Sequence, residues 1–197
     1  MNLLAIDTST DMCCVSLYQS KKKIVTYSEK VTSSHTKLLA SFVDTIIKGN
    51  NFSIKNLDHI ILSIGPGSYS GLRAGSSFAK GLAYAVGKNI IPLNTINVMN
   101  SLVNHDGEYY VALYSHKDYV YYQKFSNGQA IQNQYCDSIV NLEENKFYGY
   151  GLEKFSDINS SEVKPSSLNL IDYILKNRNL ITEQNIIKIA PIYLTKR

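Results

Sequence analysis

The residues best suited to chemistry sit where apolar runs break into turns. Asp7-Thr8-Ser9-Thr10 follows the run Leu3-Leu4-Ala5-Ile6 and sets a carboxylate beside three hydroxyls. A carboxylate in such a turn can hold magnesium through water while turn amides face phosphates. The same residue types also close Asx and ST turns that bind nothing. Gly149-Tyr150-Gly151 is compatible with a second phosphate turn. Asp7, Thr8, Ser9, Gly149 and Gly151 are therefore the candidate cofactor-binding residues. Residues 63–75 read SIGPGSYSGLRAG, where an apolar run meets a helical pattern. Glycine there permits either an anion-holding turn or the close approach of two backbones. The stretch lacks the G-x-x-x-x-G-K-[ST] spacing of a P-loop.

No catalytic residue emerges beside these turns. Ser68 and Ser70 have no base and orienting acid that the sequence identifies. His35, His59, His105 and His116 are nowhere one helical turn apart, so neither H-x-x-x-H nor H-E-x-x-H is present. Cys13 and Cys14 are strand neighbours that point to opposite faces. With Cys136 they read as buried thiols in a reducing compartment. Tyr109, Tyr110, Tyr114, Tyr119, Tyr121 and Tyr122 are either a base-stacking platform or the packing of a sheet. Only Lys117 and Lys124 lie near enough to supply the positive groove that stacking needs.

Net charge is +4 over 197 residues, which permits a nucleic-acid partner without demanding one. Lys21-Lys22-Lys23 is the one short basic run and reads as a solvated hairpin tip. No apolar run approaches the ~20 residues of a membrane span, and the chain enters a strand without a basic leader. The expectation is a cytoplasmic protein without a membrane partner.

The elements that must position these turns follow from periodicity. Strands are expected over 3–7, 12–18 and 24–30, with spacings short enough for antiparallel hairpins. A helix is predicted over 34–48 and stops near Gly49; a strand follows over 60–64. A second helix over 71–86 ends near Gly87, and a short strand over 90–93 completes a mixed α/β layered unit. Residues 97–107 are a changeover with a short helix and loop. Strands over 109–113, 120–125 and 147–150, a helix over 169–176 and a β-tail over 189–194 make a smaller second unit. The expected division is 1–100 and 101–197.

Gly71, Ala74, Gly75, Phe78, Gly81, Leu82 and Ala85 fall along one stripe of the second helix. Each interior glycine costs about 1 kcal/mol relative to alanine, a loss that close packing must recover. The stripe faces either the chain's own sheet or another subunit. Arg73 would form an ion pair at such an interface or within the chain. The first helix adds an apolar sector with Leu38, Leu39 and Phe42, so two helices from each of two chains would make a four-helix contact. A homodimer or heterodimer is the leading structural expectation.

The opening LLAIDTST, the helix start SSHTKLL and the central SIGPGSYSGLRAGSSFAKGLAYA resemble the bacterial TsaB family over residues 1–95; Pro191-Ile192-Tyr193-Leu194 adds a closing match. That family, long grouped with glycoprotease-like M22 proteins, serves in tRNA threonylcarbamoyladenosine formation beside the anticodon. The resemblance implies an actin-like ATPase fold of two lobes, the second reduced. It implies a non-catalytic subunit that pairs through its two N-terminal helices with the catalytic paralogue TsaD, joined by the nucleotide-binding TsaE. The tRNA, ATP and metal would then belong to the complex, none being required by this chain. The paralogue's H-x-x-x-H metal positions fall on Thr95 and Met99 here, neither a fitting ligand. The family's D-A-R-x-G-E-V-Y stretch is reduced to Val120-Tyr121 at its end. Two alternatives stand beside this reading: a divergent actin-like ATPase or kinase using Asp7, and a module that touches tRNA directly.

Overall fold

The computed structural model describes residues 1–20, 23–31, 35–180 and 182–195, without the side chains of Lys23 and Leu180. The Lys21-Lys22 hairpin tip and the Ser33-Ser34 helix start lie outside the described residues. Strands β1 (Leu3–Asp7), β2 (Met12–Gln19) and β3 (Lys23–Lys30) form two antiparallel hairpins, as the short spacings require. Helix α1 (His35–Gly49) leads to β4 (His59–Ser63), α2 (Tyr69–Val86) and β5 (Ile90–Leu93). Right next to β1 lies β4, parallel to it, giving the order β3-β2-β1-β4-β5.

Every residue of β1 is buried, because the sheet is covered on both faces. Leu4 and Ile6 join Cys13, Val15 and Leu17 in a core under α1 and α2, whose Leu39, Val43, Ile46, Ala79 and Ala83 fill it. Leu3 and Ala5 point the other way, as strand alternation dictates. Their face is covered from far along the chain. Helix α4 (Ser167–Lys176) returns to lay Leu170, Ile171 and Ile174 on Leu3, Ala5 and Ile61. The expected boundary at residue 100 thus falls between two sheets, while the first sheet also draws on residues beyond 160.

Helix α3 (Thr95–Asn100) precedes the second sheet. Strands β6 (Glu108–His116) and β7 (Tyr119–Ser126) pair antiparallel, with β8 (Gln129–Ala130) and β9 (Tyr135–Ser138) on β7. β10 (Lys146–Tyr150) and β11 (Ser160–Glu162) add in parallel beyond β6. Tyr109 and Phe125 stack at 5.8 Å on the α3 side, and Tyr110 and Phe147 at 5.0 Å on the other. Tyr109, Tyr110 and Tyr122 are buried, so these three pack the sheet rather than offer a platform to bases.

The sequence pattern missed β8, β9 and β11, which are short and polar. The β-tail expected over 189–194 is corrected. Those residues form no strand; Ile192 makes one backbone bond, its N–H donating to the Ile64 carbonyl at 2.7 Å.

Candidate functional site

Three of the four glycines of the 63–75 stretch are explained by one neighbour, the turn between β1 and β2; the fourth, Gly65, takes φ +101° beside Leu72 and the Ile192 carbonyl. A Cβ at Gly67 would collide with the Ser9 carbonyl, one at Gly71 with the Thr8 carbonyl, and one at Gly75 with the Thr8 hydroxyl. The Thr8 hydroxyl donates to the Gly71 carbonyl at 2.8 Å, and the Ser68 N–H donates to the Ser9 carbonyl at 2.7 Å. Ser68 caps α2 by accepting from the Gly71 N–H. Close backbone approach is therefore what this motif performs, and the approaching backbone is the chain's own.

This divides the α2 stripe. Gly71 and Gly75 face inward against Thr8, and Leu39 of α1 is wholly inside the core; for these three an intermolecular role is corrected. Leu38 and Phe42 of α1 and Phe78 and Leu82 of α2 are half-buried, resting on the core with one side to solvent. Arg73, Gly81 and Ala85 are exposed, with Tyr84 80% exposed among them. Apart from its chain neighbours and its own helix backbone, no described atom would lie within 4 Å of a Cβ at Gly81. Arg73 donates to the Tyr69 hydroxyl at 3.1 Å and sits over that ring, and Tyr69 meets Tyr193 at 5.1 Å. The closing Pro191-Ile192-Tyr193-Leu194 stretch thus docks beside the start of α2.

Asp7 does not fit a magnesium-nucleotide. It is 3% exposed, and one carboxylate oxygen accepts from the Ser9 N–H at 2.8 Å and the Ser9 hydroxyl at 2.7 Å. Burial pushes its carboxyl above the ordinary range, against the two Ser9 bonds and the more distant His35. It works as the closing residue of an Asx turn. Gly149 is pressed against the Ala112 backbone, and Gly151 takes φ +75° over the Tyr114 side chain. Of the five candidate cofactor residues, Ser9 and Gly151 line the cleft between the sheets, while Asp7, Thr8 and Gly149 lie behind its walls.

That cleft is about 730 Å³, walled by Ser9, Thr10, His35 and Ser68 on one side and Tyr114, His116 and Gly151 on the other. Tyr150 bridges it, its hydroxyl donating to Asp11 Oδ1 at 2.8 Å, while Lys30 pairs with Asp11 Oδ2 at 3.0 Å. Partial burial disfavours the Asp11 carboxylate, but the Tyr150 hydroxyl and Lys30 outweigh it and hold the group below its ordinary range. The sequence reading overlooked this trio, since nothing local marks residues 11, 30 and 150 as neighbours.

Thr95 and Met99 sit one turn apart on α3, both buried. Thr95 shares a 2.8 Å hydroxyl contact with Ser63, and Met99 packs with Tyr109 and Leu113. Among the described residues no group of three His, Cys, Asp or Glu side chains is placed to hold a metal. Burial pushes the Cys13 thiol up to about 12 and the Cys14 thiol to about 11. No helix of the described residues is long and apolar enough to cross a membrane.

The family model described as TsaD: tRNA N6-adenosine threonylcarbamoyltransferase matches residues 23–147. The tRNA threonylcarbamoyladenosine biosynthesis protein TsaB of Buchnera aphidicola subsp. Baizongia pistaciae is 28% identical over 218 aligned positions, covering 99% of this chain and 98% of its own. The chain belongs to the TsaB branch of the TsaD family. Another TsaB, from Haemophilus influenzae, is 33% identical over 100 residues, half of this chain and 42% of that protein. The solved structure of YeaZ from Pseudomonas aeruginosa superposes with a TM-score of 0.81 over 98% of this chain and 99% of its own, at 17% identity, and so matches in fold. In this chain the cleft lies between the two sheets and Asp7, the expected acidic residue, is turned inward.

Proposed function

We propose that this chain is the non-catalytic partner subunit of a complex that forms threonylcarbamoyladenosine in tRNA, pairing with a TsaD-type transferase through α1 and α2. One observation carries the site of pairing: Leu38 and Phe42 of α1 and Phe78 and Leu82 of α2 are half-exposed apolar residues on two helices that pack on the same core, with open space over Gly81. A surface of this kind is seated on a rigid core and lacks only a second pair of helices to cover it. Arg73 and Ala85 border it. In this reading the transferase supplies the metal and reacting groups, a TsaE-type nucleotide-binding subunit joins the pair, and tRNA is met through the complex. The same face serves for self-association of the isolated chain.

Mass measurement of the chain alone, and then mixed with a TsaD-type transferase, tests the assignment. A one-to-one complex with the transferase is expected. Gly81→Leu places bulk on an exposed helix position where a Cβ meets open space, so it should weaken pairing at least tenfold while the fold is kept. Undiminished pairing with this variant would remove the assignment. Gly75→Leu is unsuited to the purpose because it strikes Thr8 inside the chain.

A further inference from the structure

The second sheet is covered unequally. On one face α3 packs on Tyr109, Val111 and Leu113. Across the opposite face, over Tyr110, Ala112, Val120, Tyr122 and Phe147, the described residues place only 3-10 turns and loops. Between the turn Ile139–Asn141 and the segment following Leu152–Lys154 these leave a groove of about 530 Å³. Its floor is apolar, with Leu142, Phe147, Phe155 and Ile158, and Val140 stands 79% exposed at the lip.

The rim is acidic, with Glu143, Glu144 and Asp157 bordering the floor. Lys124 engages Glu143 and Glu108 together. Lys154, the one lysine lining the groove, holds its ammonium 3.6 Å from the Tyr114 ring centroid, on the cleft side. Lys146 is tied to Asn159 at 2.6 Å. Among the described residues, no cation forms an ion pair with Glu144 or Asp157. Two carboxylates with no ion-pair partner among the described residues thus flank an apolar floor on a chain of net charge +4.

We infer that this groove docks a polypeptide segment presenting a large apolar side chain between basic residues. The floor would take the apolar group and the rim carboxylates would meet its flanking cations, which sets orientation as well as attraction. The groove lies on the second sheet, away from the α1–α2 face, so the inference stands independently of the pairing proposed above.

The test uses the full chain and two fluorescein-labelled peptides, one with a Leu-Phe pair flanked by lysines, the other with glutamates in place of the lysines. Saturable binding of the basic peptide alone is expected, weakening as salt rises. The double charge reversal Glu144→Lys with Asp157→Lys, at two exposed positions, should weaken it about tenfold. Val140→Ser at the lip removes apolar surface without changing charge and should weaken it while leaving the salt dependence unchanged. Equal binding of both peptides, failure of the basic peptide to saturate, or indifference to the double reversal would each overturn the inference. Finding that an apolar dye occupies the groove without being displaced by the basic peptide would do the same.

Discussion

The Tyr150 hydroxyl reaches from the end of β10 to Asp11, in the turn between β1 and β2, and ties the two sheets across their cleft with a 2.8 Å hydrogen bond. Burial first, and then the Asp11 carboxylate, hold that hydroxyl well above the ordinary tyrosine range, so it remains a donor. Tyr150→Phe should cost about 1 kcal/mol at neutral pH, the discounted value of a bond to a charged but partly exposed group. The pH dependence has a definite sign. Asp11 titrates below its ordinary value of 3.8, so its contribution is present above that value and is lost as pH falls through the depressed one. Urea unfolding at several pH values checks this; a wild-type advantage that grows in acid would contradict it.

Asp7 behaves oppositely. Its folded-state pKa is raised, so its stabilising contribution is full below 3.8 and is lost as pH rises through the raised value. Asp7→Asn keeps an oxygen for the Ser9 donors and removes the buried charge. Stability at neutral pH should be equal or higher than in the native chain, with a flatter profile from acid to neutral, as read by thermal unfolding.

Three glycines of α2 should respond differently to alanine. Gly71→Ala and Gly75→Ala drive a methyl into Thr8 and should each cost about 1–3 kcal/mol. Gly81→Ala meets open space inside a helix and should gain about 0.5–1 kcal/mol. Denaturant midpoints for the three variants decide it, and a stabilising Gly75→Ala would refute the packing argument.

The three thiols are buried, and Cys13 and Cys14 hold their protons more tightly than free cysteine. Iodoacetamide at neutral pH should label all three only after unfolding. Mass spectrometry of native and urea-treated protein reads the difference. Rapid native labelling of Cys13 or Cys14 would contradict the assigned environment.

Much of the first sheet was legible because β1, β2 and β4 are apolar runs long enough to bury on both faces, and its helices repeat apolar residues every three to four positions. The α2 stripe was legible as a close approach. Its direction was not, because periodicity places Gly75 on a face without saying that Thr8, 67 positions earlier, lies beneath it. Asp7 looked like a ligand by type and place; only the geometry shows it buried, with one of its two oxygens taken by Ser9. Tyr150 and Asp11 are 139 positions apart, so no local pattern joins them. Ile189 and Ile192 read as strand through their side chains, yet Ile189 is held by burial and Ile192 by a single backbone bond to the turn after β4.

The return of α4 bears on how this molecule can be cut. A fragment ending near residue 100 would leave Leu3, Ala5 and Ile61 bare, forgoing Leu170, Ile171 and Ile174 at about 2 kcal/mol for each side chain that should have shielded them. Such a truncation would yield a sticky, insoluble half rather than a working module. Helix α4 is the lid on β1.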